Sequence, residues 1–138
     1  GGGTTDYAVD IFHQALKKGS YTSFLAEDVR LPMMYMDDAI RATKELMLAS
    51  KEDLTIRSSY NVNGMNFTPN EIGLQIKKLL PDFKLDFKPD FRNEIALTWP
   101  ESTDDSFAQN DWNWKPIFDL ESTVSTMINE ISKQFIIN

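Results

Sequence analysis

The chain has 138 residues, of which 41% are hydrophobic, 12% aromatic and 25% charged, the balance of one soluble globular domain rather than a disordered tail. Acidic residues outnumber basic ones 21 to 14, and the resulting charge of −7 argues against nucleic-acid or anionic-membrane partners. With no cysteine, disulfide scaffolds, thiolate metal sites and a cysteine nucleophile are excluded, which suits a reducing compartment such as the cytoplasm.

The chain opens Gly1-Gly2-Gly3 without a methionine or a charged-then-apolar leader, so its start is expected to be a processing scar, a cloning boundary or an internal cut. From Thr4 to Lys18, Ala8, Ile11, Phe12 and Ala15 recur at helical spacing, with Thr5 or Asp6 as N-cap and Gly19 as the left-handed stop. Tyr21 to Leu25 reads as a short strand, and Leu31 to Met36 as an extended apolar segment. That segment is the longest uncharged apolar stretch, far short of the roughly 20 residues that span a bilayer.

Asp37 is expected to cap a second helix ending near Ser50, with Ile40, Thr43 and Met47 on one apolar stripe that Ala39, Ala42 and Leu46 widen. Thr55 to Val62 follows as a strand whose Ile56, Tyr60 and Val62 are buried. Thr68-Pro69-Asn70-Glu71 combines an N-cap threonine, a first-turn proline and a capping-box glutamate, and Ile72, Ile76, Leu79 and Leu80 keep helical spacing behind it. After Pro81, Phe83, Leu85 and Phe87 alternate with charged residues as a half-buried strand does, ending at Pro89. Short helical turns are expected at Phe91 to Leu97 and Thr103 to Asp111, and Asp119 caps a last helix striped by Leu120, Val124, Met127, Ile128, Ile131 and Phe135. The fold class is α/β or mixed α+β, helices with a few short strands, in a single region over residues 1–138.

Most catalytic signatures are missing. There is no G-x-G-x-x-G, no phosphate loop ending in Gly-Lys, no G-x-S-x-G and no H-E-x-x-H. His13, the single histidine, falls beside the stripe of the first helix and reads as structural. The pairs Asp37-Asp38 and Asp104-Asp105 read as helix-capping groups, because neighbouring helical residues point about 100° apart and seldom share a substrate. Trp112 and Trp114 read as core, whereas Trp99, held by Pro100 on a turn between helices, is a candidate to face a cleft. Arg30 precedes the apolar extended segment, where a guanidinium grips a carboxylate or phosphate or simply makes a surface ion pair. Thr4 and Thr5 place hydroxyls at a helix N-terminus, suited to an anion or to capping.

Read together, the segments Gly1 to Val9 and Arg30 to Ala39, then Phe67-Thr68-Pro69, Pro89-Asp90-Phe91-Arg92, Trp99-Pro100, Asp104-Asp105-Ser106 and Asp111 to Pro116, resemble the second half of L-threonine 3-dehydrogenases. These belong to the extended short-chain dehydrogenases, in the NAD-dependent epimerase/dehydratase superfamily. The resemblance covers essentially the whole chain, and it implies the substrate-binding half of a Rossmann-type enzyme whose other half binds NAD. In that family a tyrosine and a lysine four apart move the proton while hydride passes from the threonine β-carbon to nicotinamide, giving 2-amino-3-oxobutanoate. None of the four tyrosines here has lysine at the fourth following position, so the isolated chain is expected to be inactive and to bind no NAD.

The resemblance further implies that Thr4 or Thr5 and Trp99 line the threonine site. It puts Arg30 where related sugar-nucleotide enzymes hold a diphosphate, a grip for which threonine has no use. Two departures stand out: Leu97-Thr98 replaces the family's aspartate-serine pair, and Asn113 replaces a glycine, a position where asparagine tolerates left-handed backbone. Expected partners are L-threonine and the missing N-terminal Rossmann half or a second copy, with a homo-oligomer expected, in the cytoplasm or, in a eukaryote, the mitochondrial matrix. The competing readings are a stand-alone, non-catalytic ligand-binding or interaction module and a relative of sugar-nucleotide epimerases.

Overall fold

The structure, a computed structural model, describes residue 3 and residues 6–136, without the side chain of residue 136. The proposed substrate residues Thr4 and Thr5 lie outside the described residues.

Helix α1 (Tyr7–Lys18) buries Tyr7, Ile11, Phe12 and Ala15, so Tyr7 adds to the expected stripe while Ala8 is only half-buried. Gly19 ends it at φ 66°, its N–H donating to Ala15 O, a left-handed position that costs glycine no Cβ clash. Strand β1 (Ser20–Ser23) follows at once. Its parallel partner β4 (Lys84–Phe87) pairs Ser20 with Lys84 and Ser23 with Phe87, and its exposure alternates as Lys84 and Asp86 require.

Strand β2 (Leu31–Met33) pairs antiparallel not with residues 55–62 but with β3 (Met65–Phe67), Leu31 opposite Phe67. The expected strand Thr55 to Val62 is therefore not formed. Side chains take over the local backbone there: Thr55 N–H donates to Asp111 Oδ2, and Ile56 N–H to the Tyr60 hydroxyl. Helix α3 (Pro69–Leu79) starts as the capping box dictates. Glu71 N–H donates to Thr68 Oγ1 at 3.2 Å, and Thr68 N–H to Glu71 Oε2 at 2.9 Å.

Helices α1 and α3 pack together, and both pack on α6 (Leu120–Ile136), which buries Val124 and Ile131 and half-buries Leu120, Met127 and Ile128. Asp119 begins α6 by accepting from Ser122 N–H at 2.8 Å. These helices enclose the main core with Tyr21, Leu25, Leu31, Phe67 and Phe83.

Helix α2 (Met36–Leu48) turns the expected arrangement round. Its stripe Ile40, Thr43 and Met47 faces solvent, and the opposite face buries Asp38 and Ala42. The reason is a second, smaller apolar cluster. Ala42, Ala108 and Trp114 are buried together, with Met34, Tyr60, Val62 and Trp112 packed against them. Helix α4 (Phe91–Ala96) is fastened to the β1–β2 connection by Asn93, whose side-chain oxygen accepts from Ala26 N–H at 2.8 Å. Helix α5 (Ser106–Trp112) ends at Asn113, which adopts φ 58°, the left-handed turn expected of it.

Candidate functional site

Ahead of α1, Asp6 N–H donates to Gly3 O at 3.1 Å, and Gly3 N–H to Asp6 Oδ2 at 2.9 Å. Asp6 then borders a cavity of 370 Å³ between the start of α1, the β2–β3 pair, the Met34–Met36 segment and α6. Phe12, Phe67 and Ile72 form part of its apolar wall, while Asp6, Tyr35 and Thr123 bring polar atoms. Met33, Met34, Met36, Met65 and Met127 all line it, five of the six methionines in the chain. Such a wall is soft and polarizable, able to close round groups of varied shape. Sequence reasoning missed this cluster, because Met65 and Met127 lie far in sequence from Met33 and only the β2–β3 pairing and α6 bring them together.

The far rim of the cavity is tied down by α2. Tyr35 packs its ring on Phe118, centroids 4.2 Å apart. Asp38, 1% exposed, accepts from Ile117 N–H and Phe118 N–H, each at 2.9 Å, and from Arg41 Nη2 at 2.9 Å. Arg41 also donates to Lys115 O and lies 4.4 Å from the centroid of the Trp114 ring, whose indole N–H donates to Asn63 O. Burial alone pushes the Asp38 carboxyl up, but the Phe118 N–H, the Arg41 guanidinium and the Ile117 N–H outweigh it and hold it below the usual aspartate range. The capping role assigned to Asp37 is thus corrected: α2 begins at Met36, Asp37 is exposed, and Asp38 is the tethered carboxylate.

Arg30 lies on β2's approach with its guanidinium already engaged. Nη1 donates to Asn66 Oδ1 at 3.0 Å and Asn66 O at 3.1 Å, and Nη2 pairs with Glu71 Oε1 at 2.5 Å. That hydrogen bond from Arg30, with the Thr68 N–H, holds Glu71 below the usual glutamate range against the opposing effect of burial. Pleating turns Asn66 away from Met65 and Phe67, so the ion pair and the cavity use opposite faces of the β2–β3 pair.

Trp99 is 44% exposed on the turn after α4, its N–H donating to Ala96 O, and it is not in the cavity lining. Leu97, exposed beside it, is the C-cap of α4. The structure therefore does not join Arg30 or Trp99 to the cavity. His13 is half-buried on α1, away from the lining.

The mostly apolar wall of the cavity suits a small, partly apolar molecule. Among the described residues its lining holds one carboxylate, Asp6, and no cationic side chain. No cluster of three or more histidine, cysteine or acidic side chains that could hold a metal occurs among the described residues.

No protein-family profile matches the chain. It is 49% identical over 130 residues to the mitochondrial L-threonine 3-dehydrogenase of Bos taurus, a match covering 94% of this chain and 35% of the bovine protein. An uncharacterized epimerase/dehydratase of Staphylococcus haemolyticus is 43% identical over 135 residues, covering 97% of this chain and 42% of the relative. The crystal structure of L-threonine dehydrogenase from Phytophthora infestans superposes with a TM-score of 0.94 at 52% identity, covering 97% of this chain and 43% of that one. The chain thus spans less than half the length of the relatives it matches. Along nearly its whole length the chain is similar in sequence and backbone to L-threonine 3-dehydrogenases and to an epimerase/dehydratase, over less than half of their length, consistent with a C-terminal part of such proteins.

Proposed function

We propose that this chain is the substrate-side part of an NAD-dependent L-threonine 3-dehydrogenase, which converts L-threonine to 2-amino-3-oxobutanoate. The observation that carries the reading is the match of nearly the whole chain to threonine dehydrogenases at about half identical residues and nearly superposable backbone. NAD and the proton-transferring tyrosine and lysine belong to a Rossmann part, and residues 1–138 contribute the substrate pocket. Thr4, Thr5 and Trp99 contact threonine. Arg30, engaged by Glu71 and Asn66, acts by fixing β3 to α3 rather than by gripping an anion. The protein works in the cytoplasm, or in the mitochondrial matrix of a eukaryote; no helix among the described residues is long and apolar enough to cross a membrane.

Two measurements test this. The purified 138-residue chain is expected to show neither NAD binding by calorimetry nor NAD reduction with L-threonine, and activity above background would overturn the division of labour. In the protein at its natural length, Trp99→Ala is expected to raise KM for threonine about tenfold, the equivalent of about 1.4 kcal/mol of lost contact.

A second reading, a relative of sugar-nucleotide epimerases, draws on the 43% identity to a staphylococcal epimerase/dehydratase. Loss of ligand binding in Arg30→Ala with retention in Trp99→Ala would select it.

A further inference from the structure

Five of the six methionines meet round the cavity between α1, the β2–β3 pair and α6, although they come from three separate stretches of chain. Met33, Met34, Met65 and Met127 are half-buried, so each keeps part of its surface open to a small solute, and Met36 completes the lining at the rim. Met65 has a hydroxyl already aimed at it, Thr123 Oγ1 donating to its sulfur at 3.8 Å. Met47, the sixth, lies outside the lining at 80% exposure and serves as an internal reference. A thioether is apolar, polarizable and, after a thiol, the side chain most readily oxidised by two electrons. The chain has no cysteine, so no thiol of its own intercepts an oxidant before these sulfurs do.

We propose that Met33, Met34, Met65 and Met127 form a peroxide-responsive modification site that governs the substrate side of the enzyme. This rests on the reading given above, because Asp6 borders the cavity and directly follows Thr5, assigned there to threonine. Hydrogen peroxide is the co-reactant and the atoms balance. A sulfur lone pair forms the S–O bond as the O–O bond breaks, sulfur loses two electrons to the transferred oxygen, and water leaves. The product is a polar, chiral sulfoxide where an apolar wall stood. Beside Phe12, Phe67 and Ile72 its oxygen finds no donor, a cost that the cavity relieves only by rearranging or taking up water. Met65 is the exception, since Thr123 stands ready to donate to its sulfoxide oxygen. Methionine sulfoxide reductases return the thioether, so the change is reversible.

The test treats the protein at its natural length with hydrogen peroxide, locates sulfoxides by peptide mass spectrometry and reads activity as threonine-dependent NAD reduction. Cavity sulfoxides are expected to accumulate in step with an activity loss of about fivefold or more, which the reductases reverse and dithiothreitol alone does not. The combined variant Met33→Leu, Met34→Leu, Met65→Leu and Met127→Leu, which conserves volume, should escape that fractional loss, each protein being compared with its own untreated sample. Met47→Leu should lose activity as the parent does. Peroxide that oxidises Met47 and leaves the cavity methionines reduced overturns the proposal, as does full activity with the cavity oxidised, or rescue by dithiothreitol alone. Should the leucine variant fail to fold, the sulfoxide map and the reductase rescue of the parent decide. If the untreated protein does not oxidise threonine, the functional reading falls and the site is judged in the 138-residue chain. There cavity sulfoxides should lower the Tm by several degrees, and an unchanged Tm removes the site as well.

Discussion

A carboxylate in the first turn of a helix normally faces water, where the helix dipole and solvent both favour its charge. Asp38 instead satisfies two otherwise orphaned N–H groups, of Ile117 and Phe118, and pairs with Arg41 while almost fully buried. Removing one acceptor oxygen leaves a buried donor without a partner, so Asp38→Asn is expected to cost roughly 2 kcal/mol. The pH dependence has a definite sign. With its folded-state pKa below the ordinary 3.8, Asp38 contributes stability above about pH 4 that is lost as pH falls through the depressed folded value. Asp38→Asn should therefore flatten the acid limb of the stability curve, and acid unfolding identical to the parent would sink the assignment. From sequence alone the capping role falls to Asp37 rather than Asp38, because the partners that choose Asp38 lie about eighty residues away.

At the scale of elements, local signals decided what local chemistry can decide. Thr68, Pro69 and Glu71 specify the start of α3 within four residues, and Gly19 and Asn113 take the left-handed stops that their small or polar side chains permit. Strand pairing is another matter. Residues 55–62 have strand-forming side chains, but the ladder went to Met65–Phe67, because a strand needs a neighbour in register as well as a suitable sequence. Gly64 allows that neighbour to approach. A Cβ there would lie 2.7 Å from Met33 O and 3.0 Å from Met34 Cα, backbone atoms that cannot rotate away. At Gly73 a Cβ would meet the end of the Leu85 side chain, which can turn aside. Gly64→Ala is thus expected to destabilise by about 1–3 kcal/mol through overpacking. Gly73→Ala should come out near neutral, its clash offset by a helix-propensity gain of about 1 kcal/mol. Thermal unfolding of the two variants distinguishes them, and a harmless Gly64→Ala would contradict the close approach of β3 to β2.

For the whole molecule, the main core and the smaller cluster around Trp114 leave the outward face of α2 bare. With that face bare, the 138-residue chain is expected to associate with itself. Its mass by light scattering should rise with concentration, and Ile40→Lys with Met47→Lys should reduce that rise; a clean monomer at high concentration would count against an adhesive face.

The sequence by itself determined the α/β class, the start of α3, the left-handed stops at Gly19 and Asn113, and the likeness to threonine dehydrogenases. These rest on short-range spacing and on residue identities matched in order along the chain. Tertiary structure alone decided that the stripe of α2 points outward, that Arg30 is spent on Glu71 and Asn66, and that five methionines meet round one cavity. The reason is physical: a periodic apolar pattern says that a face will be covered, whereas the partner that covers it is set by contacts between residues far apart in the chain.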